Sequence, residues 1–121
     1  MKLYLKRYRI KEATTDGSLY SAAGIKICDT LEFTPCMLPQ GTYRIIMRRH
    51  PKTTVRTPKV CTEKATFLEK DNGAYRLRSS ISVGQYRRPG LLVKTRETHT
   101  ELSQKINLTL KAKVTVELVI K

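Results

Sequence analysis

Apolar and polar residues alternate along much of this chain, and a period of two is the pattern of β-strands with one buried face. The alternation is most regular over residues 113–121, where the apolar positions are Val114, Val116, Leu118 and Ile120. Gly41–Arg49 shows the same period, with Tyr43, Ile45 and Met47 on one side. Both segments are predicted to be strands that face a core.

The N-terminal segment predicts a strand with an irregularity. Leu3 and Leu5 share one face, whereas Tyr8 and Ile10 lie on the other. A strict period of two keeps one face apolar, so the change of phase predicts a bulge or a strong twist near residues 6–7. Residues 14–17 are predicted to form a turn. A short strand at 19–20, a turn at 23–24 and a strand at 25–31 then predict a hairpin.

The middle of the chain contains short apolar runs separated by turn residues. Strands are predicted at residues 59–61, 65–68, 75–77 and 80–83. Residues 51–58 are predicted to be a basic, threonine-rich loop bounded by two prolines, residues 71–73 a turn, and residues 86–90 a loop.

One helix is predicted, beginning near Thr98. Thr98 and Glu101 have the spacing of a capping box, in which the two side chains bond reciprocally to free N–H groups. Leu102, Ile106 and Leu110 follow at helical spacing and predict a stripe that packs against a sheet. The predicted fold class is mainly β (α+β), an antiparallel sheet or partly closed barrel with one C-terminal helix followed by a final strand.

The length of 121 residues is typical of one domain, so residues 1–121 are expected to form a single domain. No run reaches the roughly 18 apolar residues that a membrane span needs. The N-terminal residues alternate apolar and basic side chains and lack the continuous apolar segment of a signal peptide. Neither a membrane span nor a signal peptide is therefore expected.

The charge of the chain favours an anionic partner. Twenty-four Lys and Arg against ten Asp and Glu leave a net charge of +14. Solubility alone needs a magnitude of about 2 to 8. A field of this sign favours nucleic acid, an anionic wall or membrane surface, or an acidic protein surface. The alternative is a set of solvated faces in a generally basic proteome.

The basic residues are concentrated in two segments that contain no acid. The first segment, between Glu32 and Glu63, contains Arg44, Arg48, Arg49, Lys52, Arg56 and Lys59. The second, between Asp71 and Glu97, contains Arg76, Arg78, Arg87, Arg88, Lys94 and Arg96. If the strands that carry them pair, the two groups form one continuous basic face. The planar fork of arginine suits bidentate contact with carboxylate or phosphate.

Other candidate chemistry is sparse. Cys28, Cys36 and Cys61 form no even disulfide framework and lack the spacing of a zinc site, so buried, reduced thiols are expected. No Gly-rich phosphate loop, EF-hand or metal-ligand spacing is present, and no metal or cofactor is expected. Five tyrosines interleaved with basic residues fit either half-buried packing or base stacking: Tyr8, Tyr20, Tyr43, Tyr75 and Tyr86.

Residues 27–46 read ICDTLEFTPCMLPQGTYRII. The informative positions are Cys28-Asp29-Thr30-Leu31-Glu32, Cys36, Pro39 and Gly41-Thr42-Tyr43. This segment resembles the signature of a small β-rich domain family of unknown function found in bacteria, phages and mobile elements. That family is similar to the L,D-transpeptidases, which cross-link peptidoglycan through a cysteine nucleophile. Asp29 and Glu32 are expected to orient a turn or to pair with an arginine.

The resemblance implies a thiolate and a histidine base within hydrogen-bond reach of each other. The matching segment, FLEKDNGAYRLRSSISVG, places Ser80 at the nucleophile position and Glu69 or Lys70 near the histidine position. A serine needs a strong base because its hydroxyl is far less acidic than a thiol. The two histidines of the chain, His50 and His99, do not align with that base. The transpeptidase-like site is therefore expected to be degenerate and the protein to be no enzyme.

Three functions are open at this point. The first is a non-catalytic structural or docking module, a phage virion accessory protein of the auxiliary capsid or decoration type. Its Arg-rich face would bind acidic surfaces of capsid or other virion proteins, with the virion, or otherwise the bacterial cytoplasm, as its location. The second is a nucleic-acid-binding module, and the third a peptidoglycan-directed enzyme that uses Ser80. The sequence does not specify the oligomeric state.

Overall fold

Strands dominate the computed structural model, which describes residues 1–70 and 79–121. The described elements are β1 (Lys2–Ile10), β2 (Thr14–Ser21), β3 (Lys26–Phe33), a 3-10 turn (Thr34–Cys36), β4 (Gly41–Arg49), β5 (Arg56–Cys61), β6 (Ala65–Glu69), β7 (Ile81–Arg88), β8 (Leu91–Val93), α1 (Thr95–Lys111) and β9 (Val116–Ile120). The predicted turn at 71–73 and strand at 75–77 lie outside the described residues.

The strands form one mixed sheet in the order β3-β2-β1-β9-β4-β5-β6-β7-β8. An additional pairing of β3 with β7 joins eight strands into a ring that is not a clean barrel. β1–β9 and β6–β7 are parallel, and the other pairings are antiparallel. The predicted fold class is confirmed, including a C-terminal helix followed by a final strand.

The hydrophobic core combines one face of the strands with the predicted helical stripe. Val116, Leu118 and Ile120 of β9 are buried, as the period-two pattern predicts. The prediction is wrong for Val114, which precedes β9 in the turn after the helix and is 47% exposed. Leu102 and Ile106 of α1 join the same cluster, and Leu110 packs against it. Each such side chain contributes roughly 1.5–3 kcal/mol when it is fully buried, so the helix is held mainly by this stripe.

Gly17 explains why the predicted turn at residues 14–17 is wrong. These residues belong to β2, where Gly17 lies opposite Arg7 of β1. A Cβ atom on Gly17 would stand 2.7 Å from the carbonyl oxygen of Lys6, so the glycine permits close strand contact. The bulge predicted in β1 is confirmed between Arg7 and Arg9.

Two predicted loops are shorter than the sequence indicates. Residues 86–88 continue β7, and only Pro89 and Gly90 connect it to β8. β5 already begins at Arg56 and includes Pro58, which lies opposite Met47 of β4. The pairing of β5 with β6 starts at Lys59, so Pro58 lies where β5 has one neighbour, and a proline is tolerated there.

The predicted capping box is also wrong. α1 begins at Thr95, three residues before the predicted start, and its N-cap residue is Lys94. The N–H of Thr98 already bonds to the carbonyl of Lys94 at 3.0 Å, so Thr98 lies inside the first turn. The Lys94 side chain makes no capping hydrogen bond.

The C-terminal end of α1 has the hydrogen bonds of a Schellman motif. Lys113 N–H bonds to the Leu110 carbonyl at 2.9 Å, and Val114 N–H bonds to the Thr109 carbonyl at 3.2 Å. This motif requires a left-handed residue after the cap, and Lys113 has φ +61°. A lysine in that conformation crowds its Cβ against the backbone, whereas glycine does not.

Replacing Lys113→Gly is therefore expected to increase the free energy of unfolding by about 1 kcal/mol. Urea denaturation followed by circular dichroism measures the change. The matched control is Lys105→Gly, in the exposed interior of the same helix, which is expected to lower the stability by about 1 kcal/mol. A loss of stability in both variants would contradict the assignment of strain to Lys113.

Candidate functional site

Ser80, at the position that the resemblance assigns to the nucleophile, is buried immediately before β7. Its Oγ accepts a hydrogen bond from the Phe67 N–H at 3.0 Å and donates one to the Ala65 carbonyl at 3.4 Å. The neighbouring Ser79 Oγ lies 2.8 Å from Thr66 Oγ1. These contacts connect β6 to the residues just before β7. They supplement the backbone pairing of β6 with β7, which consists of only two residue pairs.

The histidines bond to other partners than Ser80. Nε2 of His50 lies 2.8 Å from Glu69 Oε1, and Lys52 N–H donates to His50 Nδ1 at 3.1 Å. Because Nδ1 accepts that bond, the Nε2–H group donates a hydrogen bond to the Glu69 carboxylate. His50 thereby connects the β4–β5 loop to the end of β6. His50 and Glu69 are 19 residues apart in the sequence, and no local pattern predicts that they meet.

His99 is buried on the first turns of α1. Its Nε2 lies 2.9 Å from the Leu68 carbonyl and donates to it. Burial is the main cause that lowers the pKa of His99 below its usual value, because the imidazolium loses hydration. His99 thus acts as a neutral contact between the helix and β6.

The three free cysteines have different environments. Cys28 is buried, and loss of hydration of its thiolate, together with the neighbouring Asp29 charge, raises the pKa of Cys28 to about 12. Cys36 is half-buried and Cys61 is exposed, so the expectation of buried thiols holds for Cys28 and is wrong for Cys61. Cys61 is the last residue of β5, beyond the buried part of the strand.

Thiol reactivity is expected to follow this difference. At pH 8 Cys61 should react with a disulfide reagent such as DTNB in the native state, whereas Cys28 should react only when the protein unfolds, because the thiolate is the reactive species. Mass spectrometry of the labelled peptides assigns the sites, and Cys61→Ser is the control that removes the fast phase. Rapid native labelling of Cys28 would contradict the structure.

A buried ion pair connects β1 to β3. Arg7 Nε donates to Glu32 Oε1 at 3.0 Å, and Arg7 Nη2 donates to Glu32 Oε2 at 2.7 Å. Nη2 also bonds to the Leu38 carbonyl at 2.7 Å. The side chains are 6% and 1% exposed, respectively, so the bidentate geometry compensates for their lost hydration. The prediction that an acid of residues 29–32 pairs with an arginine is confirmed.

Tyr86 of β7 continues this polar cluster across the strand pairing that closes the ring. Its hydroxyl accepts from Gly17 N–H at 2.7 Å and donates to the Thr30 carbonyl at 2.6 Å. Its own N–H donates to Asp29 Oδ2 at 2.9 Å, and Ser18 donates to Asp29 Oδ1 at the same distance. Burial raises the pKa of Tyr86 above its usual value, which keeps the hydroxyl protonated as a donor.

Breaking the Arg7–Glu32 pair is expected to be costly. Glu32→Gln leaves the buried guanidinium uncompensated and should lower the free energy of unfolding by about 3 kcal/mol or more, measured by urea denaturation. The double variant Arg7→Met/Glu32→Leu removes both charges and should recover much of this loss. As a control, Lys26→Met removes an ion pair with Asp29 whose lysine is half exposed and should cost less than about 1 kcal/mol. Equal losses for Glu32→Gln and Lys26→Met would contradict the importance of burial.

The largest exposed concentration of charge among the predicted site residues lies where β4 and β5 meet their connecting loop. We call this surface the basic hairpin end; it consists of Arg48, Arg49, Lys52 and Arg56, all exposed. Arg49 lies directly opposite Arg56, and Arg49 Nη1 donates to the Thr54 carbonyl at 3.0 Å. Within residues 1–70 and 79–121, no ion pair involves these four side chains.

The remaining predicted site residues have other positions. Arg44 is exposed and lies opposite Glu117 of β9, and Lys59 is half-buried opposite Ile46. Arg87 and Arg88 are exposed at the end of β7. β6 lies between β5 and β7 in the sheet, so β7, which carries Arg87 and Arg88, does not pair with β4 or β5. Arg76 and Arg78 lie outside the described residues.

The described part of the chain contains no cluster of three His, Cys, Asp or Glu side chains that fits a metal ion. Its helix is too short and too polar to cross a bilayer. No protein-family model, curated protein or solved structure matches the chain. The similarity to transpeptidase-like domains therefore stays a prediction that rests on the motif residues.

Proposed function

We propose that this protein is a non-catalytic docking module that binds an acidic protein surface through the basic hairpin end. The observation that carries the proposal is the placement of Arg49 opposite Arg56 on paired, exposed strands. Like charges in directly opposed positions destabilise a sheet. The Arg49–Arg56 pair lowers the stability of the free protein, but a carboxylate of a partner could bridge the two guanidinium groups in a complex. This cost to stability is consistent with a binding role.

The chemistry of the hairpin end suits carboxylates. Three of its four residues are arginines, whose planar guanidinium groups donate paired hydrogen bonds to a carboxylate. The loop beside them contains Thr54 with φ +60°, an unfavourable conformation for a β-branched residue. His50, bonded to Glu69, connects this loop to β6, so the charges are presented from a supported hairpin.

The environments of Ser80 and Cys28 support a role without catalysis. The Ser80 hydroxyl is buried and occupied by backbone hydrogen bonds, and the Cys28 thiol is buried with a raised pKa. A nucleophile needs access to its substrate and a base within hydrogen-bond reach. Both residues make contacts that stabilise the fold instead.

The partner that we propose is an acidic surface of a capsid or other virion protein, with the virion as the location. The occurrence of the resembled family in phages supports this choice of partner. The net charge of +14 supports the choice of an acidic surface.

The proposal predicts that Arg48→Gln/Arg49→Gln/Arg56→Gln weakens binding by about tenfold or more, because charge-assisted contacts with carboxylates are lost. Binding is measured by co-sedimentation with particles purified from the native source, and by fluorescence anisotropy with a labelled poly-glutamate peptide. Arg56→Gln alone should also raise the stability of the free protein by roughly 0.2–1 kcal/mol, because the opposed charges are removed.

The control variant Lys64→Gln/Lys105→Gln/Lys111→Gln removes the same charge from other exposed positions and should bind nearly as well as the wild type. If the hairpin variant and the control variant lost affinity equally, general charge and not this hairpin would drive binding. Recovery of the protein only in soluble lysate, and never in purified particles, would exclude the virion partner.

A further inference from the structure

A shallow depression lies on the outer face of β1, β2 and β9, on different strands from the basic hairpin end. Its volume is about 260 Å³, and its main lining side chains are Tyr4, Lys6, Tyr20, Ser21 and Lys121. Leu3 and Leu5 of β1 face the core, so the alternate residues Tyr4 and Lys6 face outward. Tyr4 lies directly opposite Tyr20 across the β1–β2 pairing.

Each tyrosine ring in this depression has an ammonium group above it. Lys6 Nζ lies 5.1 Å from the centroid of the Tyr20 ring, and Lys121 Nζ lies 4.9 Å from the centroid of the Tyr4 ring. Both tyrosines are half-buried and both lysines are exposed. Cation–π contacts contribute about 0.5–1 kcal/mol at exposed sites. A ligand that stacks a ring on the tyrosines and offers an anion to the lysines therefore displaces these contacts readily.

The platform is rigid because β1 is paired on both sides. Its residues 2–5 pair with β9 in parallel, and its residues 3–6 pair with β2 in antiparallel orientation. Among the described residues, no Asp or Glu side chain lines the depression. Its volume lies below the roughly 300–1,000 Å³ of pockets that enclose small molecules, so it suits a segment of a polymer that passes over the surface.

We propose that this depression binds single-stranded nucleic acid. Bases stack on the rings of Tyr4 and Tyr20, while Lys6 and Lys121 move to contact the flanking phosphates. Paired aromatic platforms beside positive charge are the elements that such binding uses, because every base has a stacking face and every nucleotide a phosphate. An acidic peptide uses the two ammonium groups but leaves the ring faces without a partner, so the aromatic pair favours nucleic acid.

This proposal does not depend on the basic hairpin end. β9 and β4 separate β1 from β5 in the sheet order, and the two surfaces share no residue. Together they give one protein a carboxylate-binding hairpin and a separate nucleic-acid-binding face. The experiment therefore has to distinguish the two surfaces.

The test uses fluorescence anisotropy with a fluorescein-labelled oligothymidine of about eight nucleotides at low salt. Tyr4→Leu/Tyr20→Leu should weaken binding by about tenfold for each lost ring, whereas Tyr4→Phe/Tyr20→Phe should bind like the wild type because the stacking faces are kept. Lys6→Gln/Lys121→Gln should reduce the slope of log affinity against log salt by about 0.7 for each lost phosphate contact.

The hairpin variant Arg48→Gln/Arg49→Gln/Arg56→Gln is the matched control. When the tyrosine substitutions are introduced into this hairpin variant, Tyr4→Leu/Tyr20→Leu should still bind the oligothymidine more weakly than Tyr4→Phe/Tyr20→Phe. Equal affinity of the Leu and Phe variants would overturn the proposal, as would undetectable binding to the wild type at low salt. Binding that is lost in the hairpin variant alone would assign nucleic acid to the hairpin and also overturn it.

A second measurement uses the unmodified protein and so does not depend on the folding of any variant. An oligonucleotide that carries 5-iodouracil is irradiated in complex with the protein, and the cross-linked peptide is identified by mass spectrometry. Cross-links at Tyr4 or Tyr20 support the stacking site, whereas cross-links confined to the peptides of β4 and β5 overturn it.

Discussion

Closure of the strand ring through β3 and β7 is the constraint on which the rest of this structure depends. The closure buries the acids of the segment CDTLE, and each of them needs a partner inside the protein. Arg7 compensates Glu32, while Ser18, Lys26 and the N–H of Tyr86 compensate Asp29. The fold therefore combines a hydrophobic core with a polar cluster that connects β1, β2, β3 and β7.

Ser80 and the two histidines make contacts between neighbouring elements of the closed sheet. β6 and β7 share a short ladder, and Ser79 and Ser80, which immediately precede β7, add hydrogen bonds to β6. His99 attaches α1 to the β6 backbone at Leu68, and His50 attaches the β4–β5 loop to Glu69. These buried hydroxyl and imidazole groups connect neighbouring elements, whereas the exposed charged side chains lie on the outer surfaces and at the hairpin ends.

The sequence predicted the structure correctly where the spacing of apolar residues alone specifies a strand or a helix. β4 has the predicted bounds, and the bulge in β1 follows from its change of phase. The alternating residues of β9 from Val116 onward and the stripe of Leu102 and Ile106 are buried as predicted. The prediction failed at residues 14–17 and 86–88, where turn-forming residues lie in strands. There the partner across the sheet outweighs the local preference, since Gly17 allows close approach and the Tyr86 hydroxyl has three backbone neighbours.

The amino-acid sequence by itself determined the mainly β class, the helical stripe and the excess of positive charge, because these depend on composition and short-range spacing. Only the tertiary structure decided which distant residues meet. Arg7 meets Glu32, His50 meets Glu69, Arg49 meets Arg56 and Tyr4 meets Tyr20 through strand register and ring closure. A shift of one residue in any register would turn those side chains to the other face, and no local pattern specifies that choice.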